Sequence, residues 1–162
     1  MPISFLHLKP NIMKTVKEIL AAKASAFNYI SAKAKVIDAL SLMKSTNNSY
    51  VVVMDDDRFE GIMTEKDYSQ KVILVGKHSD ELLIGDIMCK DFQTVEYNDS
   101  AFKCMQLMDT FKTLYLPVFA GHEFKGVITL NDLLKESVHE NETGVSKEQK
   151  QHQQKENFYY WI

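Results

Sequence analysis

Several kinds of protein are excluded by what this chain does not contain. Its two cysteines, Cys89 and Cys104, form neither a CxxC pair nor a metal-type cluster, so a disulfide framework has nothing to build on. A chain of this size without such a framework fits a reducing cytoplasm. The five histidines, His7, His78, His122, His139 and His152, show no zinc spacing. No apolar run approaches the ~20 residues of a bilayer-spanning helix, so no membrane span is expected. Met1 to Pro10 lacks a basic stretch followed by an apolar one, so no secretory signal is expected and the location is read as cytoplasmic. Net charge is −3 with acids and bases interspersed. The basic stripe that phosphate contacts demand of a nucleic-acid binder is therefore missing. Gly-x-Ser-x-Gly, Walker and HExxH motifs are absent as well.

What is present is a folded composition, 45% hydrophobic and 25% charged over 162 residues, and a repeat. Residue i resembles residue i+65 without a gap from about Ile30 to Asp67. Identities include Leu42/Leu107, Met43/Met108, Tyr50/Tyr115, Phe59/Phe124, Gly61/Gly126, Thr64/Thr129 and Asp67/Asp132. Upstream, Glu18-Ile19-Leu20 answers Asp86-Ile87-Met88 at an offset of 68.

Each copy reads as β-α-β-β-α. A short strand is predicted near Ala26–Ile30 and again near Phe92–Tyr97. A helix follows with Val36, Ala39, Leu40 and Met43 on one face, matched by Ala101, Cys104, Met105 and Met108. The apolar runs Tyr50–Met54 and Tyr115–Phe119 suit strands buried on both faces. Turn residues, a second strand ending in Gly61-Ile62-Met63 or Gly126-Val127-Ile128, and a second helix opening at Thr64 or Thr129 complete the unit. One unit of roughly 60 residues buries too little surface to stand alone. The expected body is α/β (α+β), two pseudo-symmetric units packed sheet to sheet with two equivalent clefts. Expected boundaries are a lead-in over 1–15, repeats over 16–80 and 81–137, and a polar tail over 138–162 that ends in Phe158-Tyr159-Tyr160-Trp161-Ile162.

The motif with chemical content is Gly61-Ile62-Met63-Thr64-Glu65-Lys66-Asp67, echoed by Gly126-Val127-Ile128-Thr129-Leu130-Asn131-Asp132. A helix start has free N–H groups and partial positive charge, which attract phosphate. A threonine hydroxyl adds a hydrogen bond, and an aspartate one turn on can accept two from a cis-diol. A ribose carrying a phosphate suits the pair. A lone Thr-x-x-Asp is more simply a capping box. The doubling, with Gly-hydrophobic-hydrophobic before it both times, favours the ligand.

These elements together resemble the cystathionine-β-synthase-type (CBS) domain pair, or Bateman module. The resemblance runs from Val16 to Glu136 through Ile19-Leu20, Ala34-x-Val36-x-x-Ala39-Leu40-x-x-Met43, Val51-Val52-Val53, Gly61 to Tyr68, Asp86-Ile87-Met88, Leu116-Pro117-Val118 and Gly126 to Asp132. It implies a stand-alone regulatory module, non-catalytic, that forms a homodimer. The implied ligand is AMP, ADP, ATP, S-adenosylmethionine or NAD, with no obligatory cofactor. It also implies roles. Asp67 and Asp132 would hold ribose hydroxyls, and Thr64 and Thr129 would meet phosphate. Tyr29, Tyr50 and Val51, with Thr94, Tyr115, Leu116 and Pro117, would line the adenine pockets. Ser49-Tyr50 replaces the Gly-Ala-like pair frequent in the family, and Gln70 stands where relatives often have arginine. Lys71, Lys77 and His78 are left as candidate cations. Energy sensing with an unidentified protein partner is the expected role. A ligand-free interaction scaffold is the alternative, and a nucleotide-processing enzyme ranks below both.

Overall fold

A computed structural model of the chain describes residues 14–23 and 28–136. The lead-in before Lys14, the four residues 24–27 and the tail with its aromatic end lie outside the described residues. The elements run α1 (Val16–Ala22), β1 (Tyr29–Ile30), α2 (Val36–Thr46), β2 (Tyr50–Asp55), β3 (Arg58–Thr64) and α3 (Glu65–Tyr68). α3 continues as a π-helical turn, Ser69–Ile73. Then come α4 (Ile84–Ile87), β4 (Val95–Glu96), α5 (Ala101–Phe111), β5 (Tyr115–Ala120), β6 (Glu123–Thr129) and a helix α6 over 130–136.

The strands form two three-stranded sheets, β1-β2-β3 and β4-β5-β6, each with a parallel and an antiparallel pair. The repeat is visible in the register. Tyr50 faces Thr64 as Tyr115 faces Thr129, and each antiparallel pair shifts register after the same position, Val53 or Val118. Helix ends match too. α2 and α5 stop at Asn47 and Lys112, both left-handed with φ 52°. The buried stripe Ala101, Cys104, Met105 and Met108 on α5 is the predicted i, i+3, i+4, i+7 face, and on α2 Val36, Ala39 and Met43 are buried while the predicted Leu40 is partly buried. The expected first strands are realised only over two residues each, Tyr29–Ile30 and Val95–Glu96.

Two features bind the repeats into one body. The first is sheet against sheet. Val52, Ile62 and Val127 are buried between the sheets among Tyr50, Phe59, Phe92, Tyr115 and Phe124. Phe59 stacks on its own counterpart Phe124, with ring centroids 4.5 Å apart, and Tyr50 meets its counterpart Tyr115 at 4.8 Å. A residue that touches its own equivalent lies on the symmetry axis, so these two pairs mark its course. The second is an exchange of helices. Val16 and Ile19 of α1 pack into the core of the second repeat, with Val95, Leu116, Val118 and Ile128. Ile84 and Ile87 of α4 pack into the core of the first, with Val51, Val53 and Met63. Matched hydrogen bonds fix both docks. Val16 N–H donates to Asp99 O and Ala101 N–H to Lys14 O, while Ile84 N–H donates to Ala34 O and Val36 N–H to Leu82 O.

Gly61 has a physical reason to be glycine. Ile62 and Cys89 exchange backbone hydrogen bonds of 3.1 and 2.8 Å, which draws the chain after α4 onto the edge of β3. A Cβ on Gly61 would sit 2.5 Å from the Cys89 carbonyl oxygen and 3.1 Å from Met88 Sδ. Backbone cannot swing aside as a side-chain tip can, so Gly61→Ala is expected to destabilise the fold by about 1–3 kcal/mol in chemical denaturation. Wild-type stability in that variant would show that the edge relaxes freely.

Candidate functional site

Each repeat brings its Thr-x-x-Asp motif to the same place, where an antiparallel strand ends and a helix begins. At the first, Thr64 is extended (φ −118°, ψ 164°), and its N–H and hydroxyl donate to Asp67 Oδ2 at 2.9 and 2.7 Å. Asp67 N–H returns a bond to Thr64 Oγ1 at 3.1 Å. At the second, Thr129 N–H donates to Asp132 Oδ2 at 2.9 Å and Asp132 N–H to Thr129 Oγ1 at 3.2 Å. The capping box is therefore real in both copies.

Capping uses one carboxylate oxygen in each, and a lysine completes each site. Lys71 Nζ lies 2.8 Å from Asp67 Oδ1 and donates to the Ile87 carbonyl at 2.6 Å. Lys23, at the end of α1, donates to Asp132 Oδ2 at 2.8 Å and to the Val127 carbonyl at 3.2 Å. Both aspartate side chains are mostly buried, at 14% and 13% exposure, where an uncompensated charge would be costly.

Cavities adjoin both motifs. Beside Asp67 is one of about 740 Å³, lined among others by Thr64, Lys66, Gln70, Phe92, Thr113 and Tyr115. Beside Asp132 is one of about 430 Å³, lined by Ile19, Lys23, Asn48, Tyr50, Thr129 and Lys135 among others. A third, of about 370 Å³, includes Asn48, Ser49, Tyr50, Leu114, Tyr115 and Thr129 in its wall. Volumes of this order accommodate a small organic ligand.

The two tyrosines cross between the motifs. Tyr50 lines the cavity of Asp132, and Tyr115 that of Asp67. The starts of β2 and β5 meet at the symmetry axis, so each tyrosine reaches toward the other repeat's motif, and Ser49 Oγ and Tyr115 OH share a hydrogen bond of 2.5 Å. Val51 and Leu116 are fully buried in the two cores, and Pro117 is buried in β5. Tyr29 is 68% exposed, Thr94 is exposed, and neither lines these three cavities. The same is true of Lys77 and His78. Lys23, Asn48 and Phe92 were not singled out from the sequence. Lys23 becomes visible only once α1 is known to dock on the opposite repeat. Pro117 has one further consequence. Its counterpart Val52 donates N–H to Asn28 O at 2.8 Å, a bond that proline cannot repeat toward the equivalent Gln93 carbonyl.

Burial, the nearby Asp132 charge and Tyr115 push the Tyr50 hydroxyl up from its ordinary value of 10 to about 12. A group whose pKa is raised by folding stabilises the fold fully below its unfolded value and loses that contribution as pH rises through the folded one. The window is therefore pH 10 to 12. Burial likewise raises the Cys104 thiol from 9.0 to about 12, so alkaline loss has two sources. Tyr50→Phe is expected to leave neutral stability nearly unchanged and to lessen the loss at pH 12 by roughly 2 kcal/mol, read from denaturation midpoints across that range. An unchanged pH profile would mean that Tyr50 ionises freely in the fold.

Residues 16–73 and 84–139 each match the CBS domain family. A CBS-domain structure from Burkholderia ambifaria superposes with a TM-score of 0.73 at 32% identity, covering 78% of this chain and 95% of that one. The mitochondrial CBS domain-containing protein CBSX3 of Arabidopsis thaliana is 26% identical over 136 residues, 78% of this chain and 66% of its own length. An uncharacterized protein of Methanopyrus kandleri is 33% identical over 87 residues, 44% of its length. The chain thus spans about two thirds or less of these curated relatives. No helix among the described residues is long and apolar enough to cross a membrane. Two matched segments, the shared fold and the doubled motif agree: the chain belongs to the CBS-domain family and carries two CBS domains in tandem.

Proposed function

We propose that this chain is a non-catalytic regulatory module that binds an adenosyl ligand, an adenine nucleotide or a close relative, beside its Thr-x-x-Asp motifs and passes the change to a protein partner. The observation that carries this reading is the coincidence, twice over, of a helix start, a mostly buried aspartate, a lysine and a cavity of several hundred Å³. Thr64 and Thr129 stand where phosphate would meet helix amides, and Asp67 and Asp132 where a ribose would be read. The cavity beside Asp67 adds Phe92 and Tyr115, flat faces on which a base can stack. Each aspartate is held by a cap and an ammonium, which is why we read the clefts as binding sites without chemistry.

Ile37 and Phe102, equivalent positions on α2 and α5, are both exposed, at 41% and 43%, and suit contact with a second copy in a homodimer. Cys89 and Cys104 are free thiols, which suits a reducing compartment, the cytoplasm in our reading. One observation favours the alternative of a ligand-free scaffold: Lys23 and Lys71 already neutralise both carboxylates.

Ligand-dependent melting separates the two. A ligand at 100 times its dissociation constant should stabilise the chain by about 2.7 kcal/mol. A panel of AMP, ADP, ATP, S-adenosylmethionine and NAD should contain at least one such compound. Asp132→Asn and Asp67→Asn keep an oxygen that can accept the threonine N–H but leave Lys23 or Lys71 without its carboxylate, so they should lower unliganded stability and, in the folded variant, reduce the ligand-induced rise in melting point. A melting point that no member of the panel moves would leave the scaffold.

A further inference from the structure

The duplication is close enough that departures from it are informative. Capping, register, bulges and helix docks all recur, but the ammonium on each aspartate does not. Lys71 sits one turn after Asp67 on the same helical segment, and its counterpart in the second repeat is Glu136. Lys23 arrives from the end of α1, and its counterpart, by the offset that relates α1 to α4, is Asp91. Asp132 is thus neutralised by a lysine that has no equivalent at the Asp67 site.

The charges around Asp132 can be assigned individually. Glu136 is paired with Lys14. Asp132 is paired with Lys23, and both contacts of its carboxylate fall on Oδ2. Lys135, exposed in the same wall, makes no ion pair among the described residues. Lys23 Nζ is held between Asp132 and the Val127 carbonyl, at the end of β6 where α6 begins. Its ammonium therefore lies where a ribose hydroxyl would approach the carboxylate and where a phosphate would approach the first turn.

We propose that Lys23 is the specificity-determining residue of the Asp132 cleft, selecting phosphate-bearing adenosyl ligands over uncharged or cationic ones. The inference rests on the reading of this cleft as an adenosyl site. When the two hydroxyls of a ribose take Oδ1 and Oδ2 of Asp132, Lys23 is displaced from its contact on Oδ2. Its flexible four-carbon stem allows the ammonium to turn toward the cavity, where only an anionic ligand restores the lost pairing. With Lys135 the cleft then presents two cations. Adenosine offers neither of them a partner, and a sulfonium ligand adds a third positive charge.

Lys23→Met should therefore move two ligands in opposite directions. Adenosine should bind severalfold more tightly, because its hydroxyls no longer compete with an ammonium. ADP should bind about tenfold more weakly, because a charge-assisted contact to phosphate is gone. Calorimetry on an Asp67→Asn background reads the Asp132 cleft alone. In that background ADP should bind at least tenfold more tightly than adenosine or S-adenosylmethionine, and the margin should collapse in Lys23→Met. Lys23→Arg should preserve it, and Lys23→Gln replaces the methionine variant if the latter does not fold. A parallel change in both ligands, or an unchanged ratio, would overturn the assignment and mark Lys23 as a structural tie. Absence of all three ligands from the parent background, with Lys23 intact, would instead remove the adenosyl reading of the cleft on which the assignment stands.

Discussion

The contact on which everything else depends is the meeting of the two sheets at the pseudo-twofold axis. A three-stranded sheet with apolar residues on both faces cannot be covered by its own short helices. Each sheet here turns one face to its copy, burying Val52, Ile62 and Val127, and places Tyr50 on Tyr115 and Phe59 on Phe124. The other face is covered by the repeat's own helix together with the lead helix of the opposite repeat. Exchange of α1 and α4 makes the two cores mutually dependent, so neither half retains a complete core if the other is removed.

The clefts follow from the same arrangement. The Thr-x-x-Asp motifs lie at the ends of β3 and β6, which pair with the starts of β2 and β5, and those starts converge on the axis. Each aspartate consequently has its cap from its own repeat and part of its cavity wall from the other. Capping and ligand binding are compatible because a carboxylate has two oxygens and several lone pairs. At Asp67 the cap takes Oδ2 and Lys71 takes Oδ1, while at Asp132 the cap and Lys23 share Oδ2. The two sites are alike in backbone and different in charge, the usual consequence of a duplication whose halves keep one fold and acquire separate surfaces.

Much of this was legible beforehand, for identifiable reasons. The 65-residue repeat predicted the doubled β-α-β-β-α order because register and helix faces are period-bound, and Met43 and Met108 fall on the buried faces as expected. The exchange of α1 and α4 was not legible, because the apolar pair Val16 and Ile19 states that a helix must be buried without stating against which core. For the same reason Lys23 carried no signal, nor did the crossing of the tyrosines, by which the axis brings Tyr50 to the cavity of Asp132 and Tyr115 to that of Asp67. Gly61 was read as part of a ligand motif, yet the close approach of the Cys89 carbonyl accounts for it on structural grounds alone. Tyr29 and Thr94 were carried over from the family pattern and are exposed in this fold.

The central claim is that the strand-to-helix junctions at Thr64 and Thr129 form ligand clefts and are more than capped helix starts. Backbone amide chemical shifts of the isotope-labelled chain, followed by NMR during titration with ADP, test it most directly. The result expected is saturable displacement concentrated at Thr64 to Asp67 or Thr129 to Asp132, and at Tyr50 or Tyr115 across the axis. Shifts that fail to saturate, or that fall on the outer faces of α2 and α5 with both junctions unmoved, would contradict it.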